Sequence, residues 1–507
     1  MKNLIRANQL KNLLEPSFHK YLDKEIYEIE YINPYNLINK MRFDLFSKLI
    51  FLDGLNLYSN NYEDLYYSFI NAFSLGKFLE PGNKEKKGFI SFTKSFKETF
   101  FSMQKEGFSL KKSIIPISKN GIILNGSHRL ACAIKLNIEF VPCIRLNINS
   151  PKYNYQFFKY RKVPQDFLDQ SINKLINIDR DISAAIIWPA GNKSNLDFDK
   201  YIPNIFYKKD IYFSFIGLKN VISNIYLNES WLGSIEKGFP GALNKALPCH
   251  SKNNPLTVVF FKPNKKKENI LIKKNIRRLI GIEKNSIHIN DSYKEVVEIS
   301  KLLLNSNTVH FLNNLKFNHL PKDFLKQIKQ FKKFAETYSI SLDKVALDGS
   351  MVLASYCLRN ARDIDFIIDS REREKIKDID HLNYKNISIH NDLVKDFYKL
   401  KIDRIIDDSR NHFTFLGLKM VSIKMLIEMK YLRNELKDRI DIKLIKSIYR
   451  SNWISSYFLK INQKFIFSVL KIRNNCISFL VKIEIYDFLK KLFLINHIKS
   501  ILKRFNI

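Results

Sequence analysis

The most informative pattern of apolar and polar positions lies in the C-terminal half of the chain. An apolar run at 345–347 is followed by Gly349 and Ser350, and then by a second apolar run that favours a helix. The next residues alternate strictly, with Asp363 and Asp365 at the polar positions. Because side chains alternate across a strand, both carboxylates are expected on one face. The pattern predicts a strand, a glycine turn, a helix and a second strand.

A further strand and helix are predicted at 415–430. Ser422 stands directly before the helical run, where a hydroxyl caps a helix N-terminus. The helix carries Lys430 and leads into the charged segment Lys437-Asp438-Arg-Ile-Asp441. Charges at such spacing also form ion pairs on ordinary surface helices. This segment by itself therefore decides no function.

In the first part of the chain, residues 114–144 predict two strands, a glycine turn, a helix and another short strand. The segment Gly126-Ser127-His128-Arg129 falls at the start of that helix. Backbone N–H groups, a hydroxyl, an imidazole and a guanidinium converge there, and together they suit a phosphate. The alternative is a helix cap followed by a surface charge.

The middle of the chain alternates predicted strands and helices, which argues for an α/β arrangement. The predicted strands are 184–188, 257–261, 286–290 and 308–312, and the predicted helix is 293–304. Polar residues in this region are candidates for phosphate or sugar contacts, namely Lys245, Arg277, His288, Asn290, Asp291 and Glu295. The simpler interpretation, which we favour, makes His288 a core residue and Asp291 a helix cap.

The final segment, 451–507, combines ten Lys and Arg with two acids, Glu484 and Asp487. Apolar residues recur there at helical spacing between lysines, from Leu489 to Phe505. Such a basic amphipathic helix either lies on an anionic membrane surface or packs against the protein. Both interpretations remain open from the sequence.

Composition adds limits to this picture. The 507 residues include 84 Lys and Arg against 50 Asp and Glu, a formal net charge of +34, together with 40 Phe, 24 Tyr and 3 Trp. This excess fits polyanionic partners or simply a biased composition. The five cysteines are scattered and predict buried free thiols in a reducing compartment. No signal peptide or membrane span is evident, so we expect a cytoplasmic protein.

We therefore expect a multidomain protein of α/β and α+β class. The expected boundaries are 1–150, 151–320, 321–450 and the helical tail 451–507.

The Gly349-Ser350 and Asp363-x-Asp365 pattern resembles the nucleotidyltransferase superfamily that includes DNA polymerase β. This resemblance implies that Asp363 and Asp365 are catalytic and hold Mg²⁺. It also implies that Gly349, Ser350 and Lys430 contact a nucleoside triphosphate, ATP or CTP. The family has a third carboxylate on a later strand. Here its place is open among Asp392, Asp403, Asp407 and Asp408, or a Lys or His takes it over.

Residues 78–144, with the Gly126-Ser127-His128-Arg129 segment, resemble the ParB/sulfiredoxin fold. The resemblance implies a 1–150 domain that binds nucleotide phosphates through these four residues. In the related free-serine kinases a glutamate acts as base, and Glu80 stands in a comparable position. Ser127 occupies the place of the cysteine that sulfiredoxin requires, so sulfinic acid reduction is not expected.

Together the resemblances imply a Mg²⁺-dependent nucleotidyltransferase, with or without a second, small-molecule kinase activity. Its acceptor would be a small molecule or sugar phosphate, activated as a precursor for bacterial surface polysaccharide (capsule or lipopolysaccharide). Contact with the inner face of the membrane would be peripheral. The alternatives are a ParB-like DNA binder, a tRNA-modifying nucleotidyltransferase toxin, and a non-catalytic scaffold.

Overall fold

The computed structural model describes residues 3–55, 62–80, 83–192, 196–265, 268–376 and 386–446, with a few more between 468 and 479. The chain forms two compact units, residues 1–174 with 452–507, and residues 175–451. Both contain helices and small sheets, so the predicted mixed α/β class is confirmed. The tail helix predicted between Leu489 and Phe505 lies outside the described residues. No described helix is both long and apolar enough to cross a bilayer.

The first unit is built on a four-stranded sheet of order β1-β2-β6-β5, in which β5 and β6 are parallel and the other pairs antiparallel. The strands of this sheet are β1 (Leu4–Arg6), β2 (Ile26–Ile32), β5 (Ile115–Ile117) and β6 (Val141–Arg145). A separate antiparallel pair is formed by β3 (Leu79–Glu80) and β4 (Asn83–Lys87). The helices of the first unit are α1 (Ala7–Leu13), α2 (Pro16–His19), α3 (Asp44–Asp53), α4 (Glu63–Phe73), α5 (Phe89–Glu106), α6 (Ser127–Lys135) and α7 (Tyr155–Tyr160). The division between the two units falls within the next helix, α8 (Gln165–Ile178).

The strand, turn, helix and strand predicted at 114–144 are confirmed as β5, α6 and β6, and the second predicted strand is only a bridge between Ile117 and Ile123. Helix α3 packs against α6 and is buried over most of its length. Cys132, Cys143 and Cys249 are buried free thiols, as predicted, whereas Cys357 is half-buried and Cys476 is exposed. Burial raises the pKa of Cys132 and of Cys143 to about 12. The buried helix pair determines which side chains surround the start of α6.

In the part of the second unit that the structure describes, the strands form two sheets. One has the order β10-β7-β9-β8 with every pair antiparallel, and the other has the mixed order β13-β12-β11-β15-β14. The strands are β7 (Ser183–Ile187), β8 (Ile205–Ile211), β9 (Leu256–Phe261), β10 (Ile287–Ile289), β11 (Val345–Asp348), β12 (Ile364–Ile368), β13 (Ile387–Ile389), β14 (His412–Phe415) and β15 (Leu418–Val421). The helices are α9 (Phe215–Ile225), α10 (Pro240–Cys249), α11 (Glu268–Ile280), α12 (Tyr293–Leu303), α13 (Ser306–Asn314), α14 (Phe324–Thr337), α15 (Ser350–Ser355), α16 (Ser370–Arg373), α17 (Asn391–Phe397), α18 (Ile402–Asp407), α19 (Ile423–Arg433) and α20 (Leu436–Lys446).

The predicted strand at 308–312 is wrong, because these residues belong to helix α13. Asn305 caps that helix, accepting a hydrogen bond from the Thr308 N–H at 3.0 Å. The buried positions Thr308, Phe311 and Leu312 follow helical rather than alternating spacing. Short apolar runs of this kind fit both periods, and here the capping residue decides the outcome. The other predicted strands of the middle region are confirmed as β7, β9 and β10.

Candidate functional sites

The turn between β11 and α15 requires a glycine for two reasons. Gly349 has a φ of +59°, in the left-handed half of conformational space. A Cβ atom at this position would also stand 2.7 Å from Oδ2 of Asp365. The backbone of the turn therefore lies directly against that carboxylate.

The two predicted carboxylates meet this turn. Strands β11 and β12 are antiparallel and pair Asp348 with Asp365. Asp363 immediately precedes β12 and is exposed, whereas Asp365 is buried. The Ser350 hydroxyl donates a hydrogen bond to Oδ1 of Asp363 at 3.0 Å. The structure thus brings together the four residues that the sequence pattern singled out.

His390 is the residue that reaches Asp365 from the neighbouring strand. Strand β13 runs parallel to β12 with Ser388 opposite Asp365, and His390 follows its last residue. Its Nε2 lies 3.1 Å from Oδ1 of Asp365, and its Nδ1 lies 3.2 Å from Oδ2 of Asp348. Burial alone would lower the pKa of His390, but hydrogen bonds to the two carboxylates outweigh it and raise the pKa to about 9.

Asp348 forms the buried floor of this site. Its side chain is inaccessible to solvent, and the Tyr398 hydroxyl donates a hydrogen bond to Oδ1 while His390 contacts Oδ2. Burial, and next the charge of Asp348, raise the pKa of Tyr398 well above its usual range. Sequence reasoning assigned no role to Asp348 or His390. The available signal was an aspartate ending an apolar strand and a histidine directly after another.

Among the described residues, none of the acids considered for the third carboxylate is in contact with Asp363 or Asp365. Asp392 is on α17 with an exposed side chain, 3.8 Å from Arg373. Asp408 is buried between Arg404 and Arg410, and Asp403 and Asp407 are on α18. The structure thus places His390, the alternative kind of residue, against Asp365.

Lys430 lies in a buried ion network between α19 and α20. Its Nζ is 2.7 Å from Oδ2 of Asp441 and 3.0 Å from Oδ1 of Asp438. Arg433 also contacts Asp438, and Arg359 contacts Asp441. Burial would raise the pKa of Asp438, but hydrogen bonds from Arg433 and Lys430 lower it to about 2. The ammonium group is therefore already bound by two carboxylates, and a nucleotide contact from it stays a prediction.

At the start of α6 the structure joins part of the predicted segment to a buried charge cluster. Gly126 caps the helix with a φ of +88°. The Ser127 hydroxyl donates to Oδ2 of Asp44 at 2.8 Å, and Nε2 of His128 lies 2.8 Å from the Tyr66 hydroxyl. Arg129 instead donates to the Ile114 carbonyl at 3.1 Å.

Asp44 has two basic partners that sequence reasoning missed. Arg42 Nε lies 2.9 Å and Lys48 Nζ lies 2.8 Å from its carboxylate. Burial opposes ionisation, but the two cations hold the pKa of Asp44 well below its usual range. The sequence did contain a signal for this cluster, namely three charged residues within the apolar stretch that forms α3 and the residues just before it. Buried charges of this kind are rare unless they are paired.

Arg42, Asp44, Lys48, Ser127 and His128 line a cavity of about 210 Å³ in the first unit. Among the described residues, its polar lining consists of Glu15, Arg42, Asp44, Lys48, Ser74, Asn125, Ser127 and His128, and the other lining residues are aromatic or aliphatic, with Tyr153 adding a hydroxyl. Ser127 and His128 therefore face a cavity, whereas Gly126 and Arg129 do not belong to its lining. Glu80 lies in β3, opposite Asn83 of β4.

Of the middle candidates, His288, Asn290, Asp291 and Glu295 have partners within the second unit. His288 Nε2 lies 2.6 Å from Glu295, and its Nδ1 lies 3.1 Å from the Tyr226 hydroxyl. Asn290 accepts a hydrogen bond from the Ala184 N–H. The expectation that Asp291 caps the following helix is wrong, because Ser292 is the N-cap and accepts from the Glu295 N–H at 3.3 Å. Asp291 pairs with Lys273 instead.

Among the described residues, no three His, Cys, Asp or Glu side chains form a ready metal cage. No protein-family model, curated protein or solved structure matched this chain. The geometry of the sites therefore carries the functional argument alone.

Proposed function

We propose that the second unit transfers a nucleotidyl group from a nucleoside triphosphate, ATP or CTP, in a Mg²⁺-dependent reaction. The observation that carries the proposal is the Gly349-Ser350 turn packed against Asp363 and Asp365. A turn without a side chain lets phosphate oxygens approach the backbone, and paired carboxylates beside it provide the charge that a metal needs.

The residues present suit Mg²⁺. This ion takes one or two carboxylates, keeps several waters and completes its coordination with substrate phosphates, so a full protein cage is not required. Asp363 and Asp365 would hold it, and when bound it neutralises charge on the phosphates. The site has three carboxylates, those of Asp348, Asp363 and Asp365, and one positive charge, that of His390. Its net charge is therefore negative, which favours a divalent cation.

The protein's part in such a transfer is positioning and electrostatics rather than covalent chemistry. Gly349 and Ser350 would orient the triphosphate, and the His390 imidazolium would hold the carboxylates of Asp365 and Asp348 in place. We extend the proposal to a small-molecule or sugar-phosphate acceptor activated for bacterial surface polysaccharide synthesis. That extension is by analogy of chemistry.

The test incubates the protein with each nucleoside triphosphate, Mg²⁺ and a panel of sugar phosphates as acceptors, and separates pyrophosphate from nucleoside diphosphate among the products. We expect pyrophosphate, and we expect Asp363→Asn and Asp365→Asn each to abolish it with the fold intact. Asp392→Asn, an exposed acid on the neighbouring helix, is the matched control. Full activity in both site variants would refute the proposal, and label transferred to tRNA would support the toxin alternative.

A second activity is favoured by the cavity of the first unit. Ser127 and His128 face it together with Arg42 and Lys48, so phosphate-binding groups and an apolar wall share one space. We propose nucleotide binding there, with kinase chemistry as its extension and Glu80 as its base. Nucleoside diphosphate in the same product assay is the expected sign of that activity.

A further inference from the structure

A short turn in the second unit gathers basic side chains from two helices. The turn, Glu283–Asn285, lies between α11 and β10. Lys245 of α10 donates from Nζ to the Lys284 carbonyl at 2.7 Å and to Oδ1 of Asn285 at 2.9 Å. Arg277 lies in the last turn of α11, which packs against the same segment. We call Lys245, Arg277 and Lys284 the turn cluster.

Among the described residues, no acid forms an ion pair with the turn cluster. Within the described part of the chain, none of its three side chains forms an ion pair, and Glu283 in the same turn does not pair with them. The buried Nε of Arg277 has no hydrogen-bond partner there. Burial lowers the pKa of Lys245, and the charges of Arg277 and Lys284 lower it further. Like charges held together without an anion are destabilising, and an anion would relieve them.

Aromatic groups extend from the cluster. Helix α10, which carries Lys245, packs against the turn, against the segment Ser230–Leu232 and against α9, whose C-cap residue is Tyr226. The Tyr226 hydroxyl is held by His288, which Glu295 orients in turn. Trp231 packs on Tyr226 with 5.2 Å between ring centroids and is 45% exposed. An exposed indole beside a cationic cluster offers a ring-binding face next to a phosphate-binding one.

We propose that the turn cluster binds the phosphate of a phosphorylated ring compound, with Trp231 stacking on the ring. The shared chemistry is a phosphate ester on a sugar, whether the sugar is free or part of a nucleotide. The site is separate from Asp363 and Asp365, and the proposal does not depend on nucleotidyl transfer.

Calorimetry on the full-length protein, without Mg²⁺, tests this with inorganic phosphate, a hexose 1-phosphate, a nucleoside monophosphate, and the corresponding uncharged hexose and nucleoside. We expect the phosphate esters to bind and the uncharged compounds not to bind. Arg277→Gln should weaken binding about tenfold or more, the usual effect of losing a charge-assisted contact. Arg278→Gln, the exposed neighbour on the same helix, is the matched control.

Lys284→Gln removes an exposed side chain and should weaken binding without affecting folding. Trp231→Ala should weaken the esters but leave inorganic phosphate unchanged. Tighter binding of the hexose phosphate or of the nucleotide identifies the ligand's source. Equal affinities in the wild type, R277Q and K284Q would overturn the proposal, as would failure of the wild type to bind any of the three phosphates.

Discussion

At the scale of single residues, a substitution at Gly349 should affect both the stability of the fold and the catalytic activity. Gly349→Ala places a Cβ 2.7 Å from the Asp365 carboxylate in a left-handed conformation. We expect a loss of about 1–2 kcal/mol from the backbone conformation, and loss of pyrophosphate release because the carboxylate must move. Urea unfolding and the product assay measure the two effects.

Gly417→Ala is the matched control for this change. Gly417 also has a left-handed φ, +77°, but its nearest neighbour would be the Lys332 ammonium at 3.8 Å. It should show a similar stability loss with full activity. If both variants lost activity equally, the contact with Asp365 would have no special role.

His390 should make stability depend on pH. Its folded-state pKa of about 9 lies above the ordinary value of 6.5. Its contribution is therefore fully present below about pH 6.5 and is lost as the pH rises through 9. We expect a decline of the order of 3 kcal/mol in the free energy of unfolding across this window.

The measurement is urea unfolding without Mg²⁺ at several pH values, for the wild type and His390→Gln. The difference between the two proteins gives the contribution of His390 alone. It excludes the contribution of Lys419, whose pKa is lowered by burial to about 8. His319→Gln, at an exposed position, should leave the wild-type slope unchanged. A wild-type slope retained in His390→Gln would contradict the assignment.

At the scale of elements, the buried ion network joins α19 to α20. Lys430→Met would leave Asp441 with Arg359 and Asp438 with Arg433, so neither acid is wholly unpaired. We therefore expect a loss of about 3 kcal/mol, the lower end for breaking a buried pair. Chemical denaturation measures it.

Lys424→Met, an exposed lysine on the same helix, serves as the control and should change stability little. Turnover measured where Lys430→Met remains folded then tests the predicted nucleotide contact. Unchanged KM for the nucleotide would assign Lys430 to helix packing alone.

At the scale of the whole molecule, the net charge of +34 leads us to test anionic surfaces as partners. Deleting 477–507 should preserve turnover of soluble substrates and reduce binding to anionic vesicles. Each Lys or Arg near such a surface contributes about 1 kcal/mol. Flotation with anionic and neutral vesicles checks this, and a full-length protein that floats with neither would make the tail a packing element.

The sequence by itself determined the local features of the candidate site. The strand periods, the Ser422 cap, the glycine turn and the Asp363-x-Asp365 spacing depend on neighbours within a few residues, so their pattern is visible in the chain. The same locality explains the error at 308–312, where a short apolar run fitted both periods and the Asn305 cap decided for a helix.

Only the tertiary structure decided which distant groups complete the sites. His390 meets Asp348 across 42 residues because β12 and β13 pair in parallel, and Ser127 meets Asp44 across 83 residues because α3 packs on α6. Neither the spacing of apolar residues nor a short motif indicates which distant residues will be in contact. They follow from sheet order and helix packing, in which buried charges must find partners wherever the fold places them.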